Sequence, residues 1–210
     1  MTERDGLERR RLLGALGLGA TAAIAGCLGG GTEGNGNGTG SEDGDRAQVY
    51  EPSFSLADGE EPPLRYDSER LRSQRCDVCG MPINKYDGKS QLIHENGQVA
   101  VFDFPGCLFA YSVSSTPDSP VDRAWTTDEA TGDHYIDAMD AHYVLISDKE
   151  AASDPMGIEP RPFANREDAI SFIESWAAED LSPEEDMIVG LDEVDMEIAK
   201  IYRKNRLPDE

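Results

Sequence analysis

Apolar residues recur along the chain with two periods, near two in short β-rich runs and near 3.6 in longer ones. Ser90–Glu95 and Gln98–Phe104 read as strands, and the Asn96-Gly97 pair between them is a strong short-range hairpin signal. Pro105 then opens a helix to about Val113, with Cys107, Leu108 and Tyr111 at helical spacing. A short strand is expected at Arg123–Asp128, a polar turn at Glu129–Ile136, and a further strand at Ala141–Ser147. After a loop carrying Asp154-Pro155-Met156-Gly157, a helix is predicted from about Arg166 to Ala178. Ala169, Phe172, Ile173 and Trp176 line one face of it, and Asn165 stands at its N-cap. Met187–Gly190 reads as a strand, and a last helix from Glu193 to about Lys204 is capped by Asp192 and presents Val194, Ile198, Ile201 and Tyr202. Upstream, Pro52, Pro62 and Pro63 break any long helix, leaving a short one near Ser68–Ser73. Hairpins with helices between them point to an α+β fold and not to a parallel doubly wound sheet.

The N-terminal residues have a different grammar. Arg9, Arg10 and Arg11 precede a Gly/Ala-rich apolar stretch, Leu12–Ala25, too short and small-sided for a permanent membrane span. Consecutive arginines resemble a twin-arginine export signal, and Ala25-Gly26-Cys27 resembles a lipobox in which Cys27 is lipidated. Residues 1–27 are therefore expected to be a lipoprotein signal, and residues 28–46, a Gly/Asn/acidic run with nothing to bury, a disordered tether. That organisation places residues 47–195 as the folded domain and 196–210 as a C-terminal helix and tail. It predicts a lipid-anchored protein on the outer face of the cytoplasmic membrane.

Charge narrows the partners. The net charge of −23, from 42 acidic against 19 basic residues, argues against nucleic acid, which would be repelled. A dense carboxylate surface with little lysine fits a protein kept soluble in high salt, a halophile signature that carries little information about ligand.

Candidate chemistry sits in Cys76-Asp77-Val78-Cys79-Gly80-Met81, two thiols and a thioether within six residues. Soft sulfur donors favour Cu(I) over hard cations, and Gly80 lets the backbone turn tightly enough for Cys79 and Met81 to face one ion. Cys-x-x-Cys alone also fits a thiol–disulfide oxidoreductase or part of a structural zinc site. Against the first, the residues after Cys79 do not start a periodic apolar helix; against the second, no other Cys-x-x-Cys exists. Met156, in a turn without apolar periodicity, and His94, at a strand end, are further ligand candidates. Cys107 reads as a buried core thiol, with a disulfide to Cys76 as the other reading; His134 and His142 read as solvent-facing or hydrogen-bonding residues.

Cys79-Gly80-Met81, Phe102-Asp103, Cys107-Leu108, Tyr135-Ile136-Asp137-Ala138, Tyr143-Val144, Pro155-Met156-Gly157 and Pro162-Phe163 occur in the order seen in the NosL family. The chain resembles these membrane-anchored copper-binding accessory proteins of nitrous oxide reductase assembly over about residues 74–195. The resemblance implies two similar ββα-type units in one compact domain, no enzymatic activity, and Cu(I) delivered to a copper acceptor enzyme with other maturation proteins as partners. It assigns Cys79 and Met81 first, Met156 next and His94 in uncertain register. It leaves Cys76 ambiguous, since some members lack it.

Overall fold

A computed structural model of the chain describes residues 50–60, 69–115, 117–176, 181 and 187–208. The expected signal and tether, Cys27 among them, lie outside the described residues. Among the described residues no helix is long and apolar enough to cross a membrane.

Among the described residues, eight strands and five α-helices make an α+β fold. In chain order they are β1 (Phe54–Ser55), α1 (Glu69–Arg72), β2 (Ser90–His94), β3 (Gln98–Phe102), α2 (Pro105–Ser114), β4 (Val121–Thr127), β5 (Tyr135–Asp137), β6 (His142–Val144), α3 (Lys149–Ala152), β7 (Arg161–Phe163), α4 (Arg166–Ser175), β8 (Ile188–Val189) and α5 (Met196–Arg203). The strands form two antiparallel sheets, a five-stranded one in the order β1-β3-β2-β4-β5 and a three-stranded one in the order β7-β6-β8.

The expected hairpin forms as read. Ile93 pairs with Val99 and Ser90 with Phe102, and Gly97 N–H closes the turn on the His94 carbonyl at 2.8 Å. Gly97 has φ +81°, a left-handed conformation that glycine adopts without a Cβ penalty. β2 is buried on both faces, so its alternation of side chains distinguishes two interior sides and not an inside from an outside.

α2 is buried nearly all round, from Pro105 to Tyr111, because the large sheet covers one side and α5 another. Phe109 sits at that junction, edge-on to Tyr143 of β6 with centroids 5.0 Å apart and edge-on to Tyr202 of α5 at 5.9 Å. The two sheets are tied by Asp128, whose carboxylate accepts N–H of Ala164 at 3.2 Å and Oγ1–H of Thr131 at 3.0 Å. Glu129 N–H donates to the Pro162 carbonyl at 2.8 Å.

Several details at element ends differ from expectation. Tyr135–Asp137, expected at the end of a polar turn, is a strand, because its backbone pairs with Trp125–Thr127. Asn165 does not cap α4 with its side chain; its amide turns instead to Asp168 at 3.1 Å. The last helix, expected from Glu193, starts at Met196 under Asp195, whose carboxylate accepts Ile198 N–H at 2.9 Å, and the expected cap and start, Asp192 and Glu193, belong to a separate 3-10 turn, Leu191–Glu193.

Candidate metal centre

The Cys-x-x-Cys segment folds into a tight turn held by its own backbone. Cys76 N–H donates to the Met81 carbonyl at 2.8 Å, and Gly80 N–H donates to the Cys76 carbonyl at 2.9 Å. Cys79 N–H points at Cys76 Sγ, 3.5 Å away. Gly80 has φ +75°, so a side chain at this position would strain the turn. The turn is docked on β3 by a reciprocal pair: Asp77 N–H to the Val101 carbonyl at 3.0 Å, and Val101 N–H to Asp77 Oδ2 at 2.6 Å.

That docking determines what the turn meets. β3 runs on to Asp103, and Phe104-Pro105 bends the chain directly into α2. Extended backbone is what a residue before proline prefers, and Pro105 occupies the first helical position, where no N–H is needed. The first turn of α2 then carries Cys107. The outcome is a cluster in which one ligand atom from each of Cys76, Cys79, Asp103 and Cys107 lies within 4.8 Å of all the others. Donors around one ion at metal–sulfur bonds of about 2.3 Å can be no further apart than roughly 4.6 Å. The four ligand atoms therefore lie at separations close to those that donors sharing one ion can have.

All three cysteines are free thiols, so Cys76 and Cys107 are not joined in a disulfide. Their environments differ. Cys76 and Cys107 are buried and Cys79 half-buried. Hydrogen bonds from the Cys107 and Cys76 side chains pull the Cys79 thiol down to about 4, while burial pushes Cys76 up and Cys107 well up. Asp103, 3.2 Å from Cys79 Sγ through both carboxyl oxygens, is pushed up to about 6, first by burial and then by Cys76. The site thus presents one strongly acidified thiol, Cys79, flanked by two buried thiols and a carboxyl group. The segment after Cys79 forms only a 3-10 turn, Ile83–Lys85, and supplies no α-helix N-terminus to the thiols of the kind a thioredoxin-like redox site uses.

The structure disposes the sequence candidates unevenly. Cys76 and Cys79 are both in the cluster. Met81 is half-buried beside it in sequence and contributes its carbonyl to the turn. Met156 is half-buried in the turn closed by Gly157 N–H on the Asp154 carbonyl at 2.9 Å, and Arg161 clamps Asp154 with two 2.9 Å hydrogen bonds. His94 lies outside this cluster. The residue is 2% exposed, with Nδ1 2.8 Å from the Ser119 carbonyl and Nε2 2.9 Å from the Tyr111 hydroxyl. Both nitrogens are engaged, so His94 is packed and hydrogen-bonded in the core. His134 is exposed beside Asp133, and His142 lies half-buried in β6.

Two members of the cluster were not among the sequence candidates. Cys107 was hidden by its apolar helical surroundings, which suit a core thiol equally well. Asp103 was one of 42 acidic residues, and only the turn's docking on β3 singles it out.

A model of the NosL family matches residues 69–184, just over half of the 210-residue chain. Among solved structures, the crystal structure of the copper chaperone NosL from Shewanella denitrificans is similar, with 22% identity and a TM-score of 0.45, over 60% of this chain and 92% of that one. No curated protein matches the chain. The family match spans the Cys-x-x-Cys turn, the hairpin, α2 and the Met156 turn, and on that span the chain belongs to the NosL family.

Proposed function

We propose that this protein is an extracytoplasmic, lipid-anchored metallochaperone that binds Cu(I) and hands it to a copper enzyme, nitrous oxide reductase being the acceptor its family suggests. One observation carries the reading: three free thiols and a carboxylate from three separate segments converge on one point of a folded domain. Soft thiolates select Cu(I), and a site with a standing thiolate can capture the ion before the buried thiols give up their protons. The half-exposed Cys79 is the point of entry and exit. The thioether of Met81 next to it, and that of Met156, are the neutral donors that would let an acceptor's ligand displace the protein's sulfurs stepwise. No bond in the cargo is made or broken beyond coordination, so the protein acts by ligand exchange and not by catalysis. Lipidation at Cys27 and the tether to residue 46 would hold the domain within reach of its acceptor at the membrane surface.

The test is anaerobic titration of the full chain with Cu(I), and separately with Zn(II), against chromophoric chelators. The reading expects one tightly held Cu(I) per chain, and weaker Zn(II) that Cu(I) displaces. A preference for Zn(II), with unfolding on its removal, would establish a structural zinc site instead. Replacing Met81 with Leu should weaken Cu(I) binding about tenfold and slow its transfer to a competing acceptor. A thiol–disulfide oxidoreductase would instead retain its redox activity in that variant.

The enclosed position of His94 gives a further expectation. His94→Ala leaves the Tyr111 hydroxyl and the Ser119 carbonyl without their partner and opens a cavity. It should cost about 2–4 kcal/mol in chemical denaturation while Cu(I) affinity stays unchanged. Loss of affinity in a variant that remains folded would return His94 to the ligand set.

A further inference from the structure

Helix α5 begins at Met196, beyond the segment that the family model matches. It nevertheless packs along α2, the helix that carries Cys107. Arg203, in the last turn of α5 and 4% exposed, engages all three of its guanidinium nitrogens. Nε donates to Cys107 Sγ at 2.9 Å, Nη1 to the Tyr202 carbonyl at 2.9 Å, and Nη2 to the Glu159 carboxylate. Glu159, itself 1% exposed, accepts the Gly106 N–H at 3.1 Å, so the same carboxylate fixes both Arg203 and the start of α2. Gly106 makes this approach possible: a Cβ there would lie 2.6 Å from Glu159 Oε2 and 2.9 Å from Tyr202 Cβ. Just beyond α5, Arg206 donates to the Cys79 carbonyl at 3.3 Å. The C-terminal segment therefore touches the helix-borne thiol of Cys107 and the backbone of the Cys-x-x-Cys turn.

We propose that this C-terminal helix is a working part of the metal site, with Arg203 a positioning residue that turns the Cys107 sulfur toward Cys76, Cys79 and Asp103 so that it enters the coordination sphere as a third thiolate. The identity of the cargo rests on the metallochaperone reading; the positioning does not. A cysteine side chain has several staggered orientations, and a directed N–H···S bond from an immobile guanidinium selects one while leaving sulfur lone pairs for an ion. Donors that orient a ligand in this way are commonly worth ten- to a hundredfold in metal affinity. Only arginine's planar fork can serve the sulfur and the carboxylate together; lysine presents a single point charge.

Cadmium(II) bound to the full chain reports the number of coordinating thiolates through the intensity of its sulfur-to-cadmium charge-transfer absorption, independently of copper. The expected counts are three for the wild type, two for Cys107→Ser and two for Arg203→Lys, which keeps a cation opposite Glu159. With Cu(I), Arg203→Lys should weaken binding roughly tenfold or more, and adding it to Cys107→Ser should produce no further loss, because both changes remove the same donor. Thermal unfolding of each variant accompanies the measurement. If Arg203→Lys does not fold, Arg203→Met with Glu159→Gln removes both charges without stranding either, and is read the same way. Two thiolates in the wild type, an unchanged cadmium spectrum in the Arg203 variant, or multiplying losses in the double variant would each overturn the proposal. A wild type that binds cadmium through three thiolates in an Arg203-dependent way but ignores Cu(I) would sustain the positioning and defeat the copper reading.

Discussion

Replacing Cys79 with serine should lower the affinity of the full chain for Cu(I) about a hundredfold or more, read by anaerobic competition with a chromophoric chelator. Such a loss corresponds to about 2.7 kcal/mol of binding free energy. Changing an outer partner of a metal ligand already costs ten- to a hundredfold, and Cys79 is placed to be a ligand itself. It is the one sulfur of the three that stands partly open to solvent and the one whose thiol is acidified, pulled down to about 4 by hydrogen bonds from Cys107 and Cys76. A serine hydroxyl keeps its proton there and is a hard donor, so neither charge nor softness survives. Because Cys79 is half-buried and the turn is closed by the backbones of Cys76, Gly80 and Met81, not by the Cys79 side chain, the variant should retain the wild-type stability within about 1 kcal/mol. Unchanged Cu(I) affinity in a folded Cys79→Ser protein would remove the cluster as the cargo site.

The largest effect on stability is expected from Phe109→Ala, about 3–5 kcal/mol in chemical denaturation of the metal-free chain. Phe109 is fully buried and faces Tyr143 of the small sheet and Tyr202 of α5 edge-on. Truncation would remove both aromatic contacts and leave a void where α2, β6 and α5 meet, too well walled to collapse. Because Cys107 lies two residues earlier on the same helix, loosening that junction should also weaken metal binding in proportion to the protein still folded. A cost below about 1 kcal/mol would show that these three elements are not packed through this ring.

The fold was legible where local chemistry and tertiary context agree. Asn96-Gly97 is suited to one kind of turn, and the runs on either side of it are β-rich, so β2 and β3 could be placed from the sequence within a few residues. Boundaries failed where several residues compete for one job: Asp192 and Asp195 can both cap a helix, and only the packed structure shows that Asp195 reaches an N–H of α5. The site was half legible. Cys76 and Cys79 announce themselves by spacing, but Asp103 and Cys107 join them through a register between the turn and β3 that no local pattern encodes. The enclosure of His94 was hidden for the same reason. A histidine at a strand end reads as accessible, and it is Tyr111 and the Ser119 carbonyl, remote in sequence, that enclose it.

The large sheet ends in two very short strands, β1 of two residues and β5 of three. An edge that short offers a foreign strand almost no ladder to extend, and the chain's heavy negative charge repels a second copy before it can try. For a protein proposed to be held at a membrane surface, this is protection against self-association. Such protection would let its encounters be governed by the face that carries the ion.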